Sequence, residues 1–155
     1  MTIDAIDQRI LDVLAEEGRI PVVELADRVG LSATPCRRRI AALEEAGIIA
    51  RYAAVIDPDR AGYPVTAFVS VELERQESDS LALFERRVMD FEEVVQGFLM
   101  TGSQDFLLRV VVEDLHAFER FLQEKLTRIP GIRSVRSRFA LRQFVQRTRL
   151  PDANA

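Results

Sequence analysis

The spacing of apolar residues changes once along this chain, and that change limits what the chain can fold into. Up to about residue 46 apolar side chains recur every three or four positions; from residue 65 they alternate with polar ones or gather in short runs. The first pattern suits amphipathic helices and the second half-buried strands. Between them Asp57-Pro58-Asp59 and Gly62 break both patterns, so residues 57–63 read as a linker. The expected domains are 1–56 and 64–150, and 155 residues suffice for two small cores.

In the first segment Ile6, Ile10, Val13 and Leu14 share one helical face. Asp4 is placed to cap that helix, Asp7 to support its first turn and Gly18 to end it. A shorter helix is predicted over residues 21–29, with Pro21 at its first position and Gly30 closing it in the left-handed conformation. A third ends at Ala46; either Ser32 or Thr34 is its N-cap, and Pro35 falls in its first turn in both cases. Residues 48–56 are apolar and β-prone, which predicts a short hinge strand.

Beyond the linker, Val65, Ala67, Val69, Val71 and Leu73 alternate with polar neighbours, except at Phe68. Leu81, Phe84, Val88 and Phe91 mark a helix, and the runs Val94–Met100 and Phe106–Val112 flank a hairpin turn. Leu115, Phe118, Leu122, Leu126 and Ile129 form another helical stripe, ended by Pro130-Gly131, and a last strand is predicted over Ile132–Val145. Strand, helix, strand, strand, helix, strand is the ferredoxin-like order, so the fold class is α+β: a helix-turn-helix domain, a hinge strand and a ferredoxin-like βαββαβ domain. Both helices of such a unit lie on one side of its sheet. If the odd-numbered residues of the first strand face them, Phe68 lies on the bare side, and a second copy is the simplest cover. A homodimer is therefore expected.

The net charge of −4 argues against a broadly basic nucleic-acid binder, yet the charge is unevenly spread. Arg37-Arg38-Arg39 forms a basic cluster in an acidic first half, and Arg128 to Arg149 holds seven arginines and no acid. The second run is expected mainly to form ion pairs. The acidic opening MTIDAIDQRI lacks a signal-peptide pattern, no apolar run is long enough to cross a membrane, and Cys36 is the only cysteine. These features predict a cytoplasmic, nucleoid-associated protein with no membrane partner.

Three helices with a glycine-containing turn before the third suggest a helix-turn-helix, whose last helix enters the major groove. On a helical wheel Cys36, Ile40 and Leu43 share the inner face with the stem of Arg39. Thr34, Arg38, Ala41, Ala42 and Glu45 face outward, with Arg37 on the flank. Small residues admit close approach to base edges, and arginine bonds guanine or phosphate.

The chain resembles the Lrp/AsnC (feast/famine) family of transcription regulators over residues 4–150. The resemblance is carried by IDQRILDVLAEEGRI, VELADRVGLSATPCRRRIAALEEAGII, TGSQDFLLRVVVEDL and IPGIRSVRS. It implies a sequence-specific regulator of double-stranded DNA that dimerises and assembles into tetramers or octamers. It also implies an amino-acid-like effector held where effector domains of neighbouring dimers meet. By that resemblance Ser32, Thr34, Pro35, Arg37, Arg38 and Arg39 open the recognition helix. The wheel separates Arg38 as base contact, Arg37 as phosphate contact and Arg39 as a structural residue. The resemblance also makes Thr101, Gly102, Ser103, Gln104, Asp105 and Phe106 the effector loop, with Asp105 available to an ammonium group. Many members carry an acid directly after the loop glycine, where this chain has Ser103.

No catalytic residue, metal site or cofactor is expected. Cys36 reads as a small buried side chain, and His116 has neither a second histidine nor a cysteine nearby. Two alternatives remain. Siroheme-decarboxylase subunits look similar across both domains, although a charged porphyrin pocket usually needs more than one histidine. A sensor or oligomerisation module without DNA binding is the other, and Ser32–Arg39 argues against it.

Overall fold

The computed structural model describes residues 2–151 of the chain, and all that follows concerns those residues. Two compact units result. One runs to Val55 and takes in the chain from Phe144 onward; the other is Ile56–Gln143.

The first unit consists of α1 (Ala5–Glu16), α2 (Val22–Val29) and α3 (Ala33–Glu45). Asp4 caps α1 by accepting from the Ile6 and Asp7 N–H groups at 2.9 and 2.8 Å, while Asp7 accepts from the Asp4 N–H at 3.2 Å. This reciprocal box satisfies amides that a helix N-terminus otherwise leaves free. Pro21 stands just outside α2 as its N-cap, not at the first helical position. Gly30 ends α2 with φ +74°, so the short turn into α3 depends on a residue without Cβ. Ile10, Leu25, Val29, Cys36 and Leu43 are buried together, one apolar stripe from each helix.

Residues 48–56 form no strand, contrary to expectation. A strand exists only when its N–H and C=O groups find a ladder, and among the described residues this segment pairs with no other strand. Tyr52 is nevertheless tied down, its hydroxyl donating to Glu44 at 2.9 Å. The final segment also departs from expectation. The last strand stops at Phe139 rather than Val145, and the chain beyond it returns to α1. There Arg149 pairs with Asp12 at 2.7 Å and the Thr148 hydroxyl donates to the Ala15 carbonyl.

The second unit holds β1 (Val65–Leu73), α4 (Ser78–Met89), β2 (Val94–Leu99), β3 (Phe106–Val112), α5 (Leu115–Arg120) and β4 (Ile132–Phe139). The strands form an antiparallel sheet in the order β2-β3-β1-β4, the ferredoxin-like arrangement. β1 is central, opposing Phe68 to Arg109 on one side and to Arg138 on the other. Ala67, Val69, Val71 and Leu73 are buried, as the odd-numbered phase predicted, and Phe68 is exposed on the other face. Phe84 from α4 stacks on Phe106 at 4.4 Å, which seats that helix on the hairpin.

The helical stripe after Leu115 is shifted from its expected phase. α5 passes into a π-helical turn, Phe121–Lys125, and then a 3-10 turn, Leu126–Arg128. The wider turn lets Phe118, Phe121 and Leu126 all face the sheet, whereas Leu115 is exposed and Leu122 only half-buried. Accordingly Phe121→Ala should cost roughly 3–5 kcal/mol in chemical denaturation, and Leu122→Ala clearly less. The opposite order would restore the regular helical phase.

Candidate nucleic-acid interface and effector loop

Ser32 caps α3 with extended backbone (φ −80°, ψ 161°), but no side chain accepts from the first amides of the helix, and its first turn carries no acid. Such an end keeps free N–H donors and a partial positive charge, which together suit a phosphate. Ser32, Thr34, Arg37 and Arg38 are exposed around it, while Pro35 is half-buried. Among the described residues no acid pairs with Arg37 or Arg38. Arg28 of the same unit is engaged instead, bonding Glu24 at 2.5 Å and Glu17 at 3.0 Å.

Arg39 differs from its two neighbours. Its Nη1 donates to Asp4 Oδ2 and Asp7 Oδ1, both at 2.7 Å, and Asp7 is buried. It therefore faces α1, as the wheel suggested, and is not available to DNA in this arrangement. The identity of its partners was not legible, because the acids lie 32 and 35 positions earlier; only the Asp-x-x-Asp cap was visible. The bond from its own N-cap box, the Asp7 amide first and Arg39 second, holds the Asp4 carboxyl below its usual pKa. Cys36 is buried, and burial pushes its thiol pKa up, which disfavours the reactive thiolate. Tyr52 is pushed up to about 12, by burial first and then by Glu44.

The loop joining β2 to β3 divides into two parts. Thr101, Gly102 and Ser103 are exposed, with Gly102 at φ +105°, and Gln104 is half-buried. Asp105 and Phe106 point inward. Asp105 Oδ2 accepts from the Leu73 N–H at 2.7 Å, and its own N–H donates to the Val71 carbonyl at 3.0 Å, so it closes the end of β1. Phe106 belongs to the core. Of the six expected effector residues, only the first four reach solvent. His116 is exposed at the start of α5, and no cluster able to hold a metal occurs among the described residues.

On the bare face of the sheet, Phe68, Leu107, Arg109, Phe98, Arg136 and Arg138 stand on one side by register. The Arg109 Nε is buried without a hydrogen-bond partner, although its residue is only half-buried.

The chain thus joins an arginine-bearing helix with an open N-terminus to a ferredoxin-like domain. Residues 3–50 match the family model for winged helix-turn-helix DNA-binding, and residues 66–150 that for the Lrp/AsnC ligand binding domain. The chain belongs to the Lrp/AsnC family of transcriptional regulators. It is 46% identical to the Bkd operon transcriptional regulator of Pseudomonas aeruginosa, over 96% of this chain and 97% of that one. It is 42% identical to the leucine-responsive regulatory protein of Rhizobium meliloti, over 91% and 90%. A Neisseria meningitidis transcriptional regulator solved as its L-methionine complex superposes with a TM-score of 0.91 at 38% identity, covering 97% of both chains.

Two outcomes follow from these contacts. A carboxyl with a lowered folded pKa contributes stability that is complete above the ordinary Asp pKa of about 3.9 and is lost as pH falls through the folded value. Thermal melts from about pH 5 downward should therefore show an acid-labile component that Asp4→Asn flattens. Asp105→Ala leaves the Leu73 N–H without its acceptor and should cost roughly 1–3 kcal/mol with no ligand present.

Proposed function

We propose that the chain binds a specific operator as a homodimer or higher oligomer, with Arg38 reading a base edge and Arg37, Ser32, Thr34 and Pro35 setting the approach to phosphate. The observation that carries this reading is the open N-terminus of α3, flanked by two arginines with no ion pair, while Arg39 is engaged elsewhere. Dimerisation is supported by the uncovered sheet face around Phe68. An acidic protomer binds a polyanion weakly, so joining two or more recognition helices supplies the affinity. The regulator names of the relatives favour this reading over the decarboxylase alternative. The site of action is the cytoplasm.

The second domain senses a small amino-acid-like molecule at Thr101–Gln104. Support comes from the ligand-domain match and from two relatives solved with L-methionine, the Neisseria regulator and a Mycobacterium tuberculosis feast or famine regulatory protein. With one Asp105 oxygen bonded inside, the exposed loop amides and hydroxyls of Thr101 and Ser103 are the groups left to hold a carboxylate. The effector acts by changing contacts between dimers and hence the spacing of recognition helices.

Gel shifts on the DNA upstream of the chain's own gene, at two salt concentrations and with each amino acid in turn, test both parts. Selective, salt-sensitive binding is expected, and Arg38→Ala should weaken operator binding by roughly tenfold or more. Equal affinity for unrelated DNA would remove the regulator reading. No change with any amino acid, in binding or in melting temperature, would remove the effector.

A further inference from the structure

We propose that Asp4 and Asp7, acting through Arg39, are positioning residues for operator reading: they set the rotation of α3 at which Arg37 and Arg38 face outward. The inference rests on the reading that α3 meets DNA. All four oxygens of the two carboxylates are engaged. Asp4 uses Oδ1 for the Ile6 and Asp7 amides and Oδ2 for Arg39; Asp7 uses Oδ2 for the Asp4 amide and Oδ1 for Arg39. The two acids are held by the first turn of α1, so the arginine bonds to a fixed base and not to a mobile side chain. Asp7 is only 2% exposed.

Elsewhere α3 is held by apolar contacts, with Cys36 and Leu43 fully buried and Ile40 packed beside them, and at its far end by the Tyr52 hydroxyl on Glu44. Apolar packing is non-directional and tolerates a small helix rotation, whereas a charge-assisted bond made twice to one nitrogen does not. Binding constellations hold their geometry to roughly 10–20°. Arg38 precedes Arg39 directly, so whatever turns Arg39 turns Arg38 with it.

The charge of the network gives the proposal a sign of its own. Two acids near a DNA-facing helix repel phosphate, so neutralising one should by electrostatics alone tighten binding to every duplex. A positioning role predicts the opposite for the operator. Asp4→Asn is the discriminating change, because asparagine keeps one oxygen as the N-cap acceptor and puts an NH2 group, which cannot accept from Arg39, in place of the other.

The experiment measures dissociation constants of the full chain for its operator and for an unrelated duplex across a salt series. For Asp4→Asn the expected result is operator binding weakened by roughly tenfold, with the unrelated duplex unchanged or slightly tighter. Parallel tightening on both, or an unchanged ratio, overturns the proposal. Arg39→Met keeps the apolar stem and removes both bonds. It should lower the operator-to-unrelated ratio without altering the salt dependence, whereas a salt slope smaller by about one would make Arg39 a phosphate contact and refute the assignment. Circular dichroism and melting temperature select folded variants; should Arg39→Met not fold, the Asp4→Asn ratio decides. A wild-type chain without operator preference removes the DNA reading and this inference with it. A selective wild type with a selective Asp4→Asn removes the positioning role alone.

Discussion

A sheet has two faces, and the helices of the second unit cover only one. α4 and the segment from α5 to Leu126 bury the side formed by Val69, Val71, Leu108 and Val110, and that burial holds the unit together. The other side carries Phe68, Leu107 and three arginines by register. Among the described residues none bonds the Arg109 Nε, which is buried there. The oligomeric reading rests on this one-sided cover. The β2–β3 hairpin is held in turn through its inward end, where Asp105 closes β1 and Phe106 stacks on Phe84, leaving Thr101–Gln104 as its accessible part.

In the first unit the acidic composition is compatible with DNA recognition because the arginines divide their work. Arg28 and Arg39 satisfy acids of their own unit, and Arg37 and Arg38 are left unpaired beside an open helix terminus. Three consecutive arginines thus have two different fates, set by the turn of the helix that carries them. The acids Asp4 and Asp7 raise the pKa of Arg39 further, so its charge is permanent and already compensated.

Much of this architecture was legible in the chain. Alternation located β1 because sidedness repeats every second residue, and an apolar run located β3, which spans Phe106–Val112 as read. Gly30 marked a position of positive φ, which few other residues adopt. The outward direction of Arg38 followed from helical geometry alone. Where local pattern failed, a distant partner was the cause. Residues 48–56 look like a strand by composition, yet a strand requires a ladder that this segment lacks among the described residues. The phase after Phe118 slips because a π turn brings Phe121 inward, a choice made by the sheet it packs on. Asp105 looked like a ligand for an ammonium group, and its role depends on an amide 32 residues away.

The sequence by itself determined the order of elements, the faces they bury and the residues offered at the start of α3, since these depend on spacing along one element. Only the tertiary structure decided that Arg39 belongs to Asp4 and Asp7, that Asp105 belongs to Leu73, and that the last residues described return to α1. Those outcomes rest on directional bonds between segments far apart in the chain, and no local period encodes which distant group will meet a given donor.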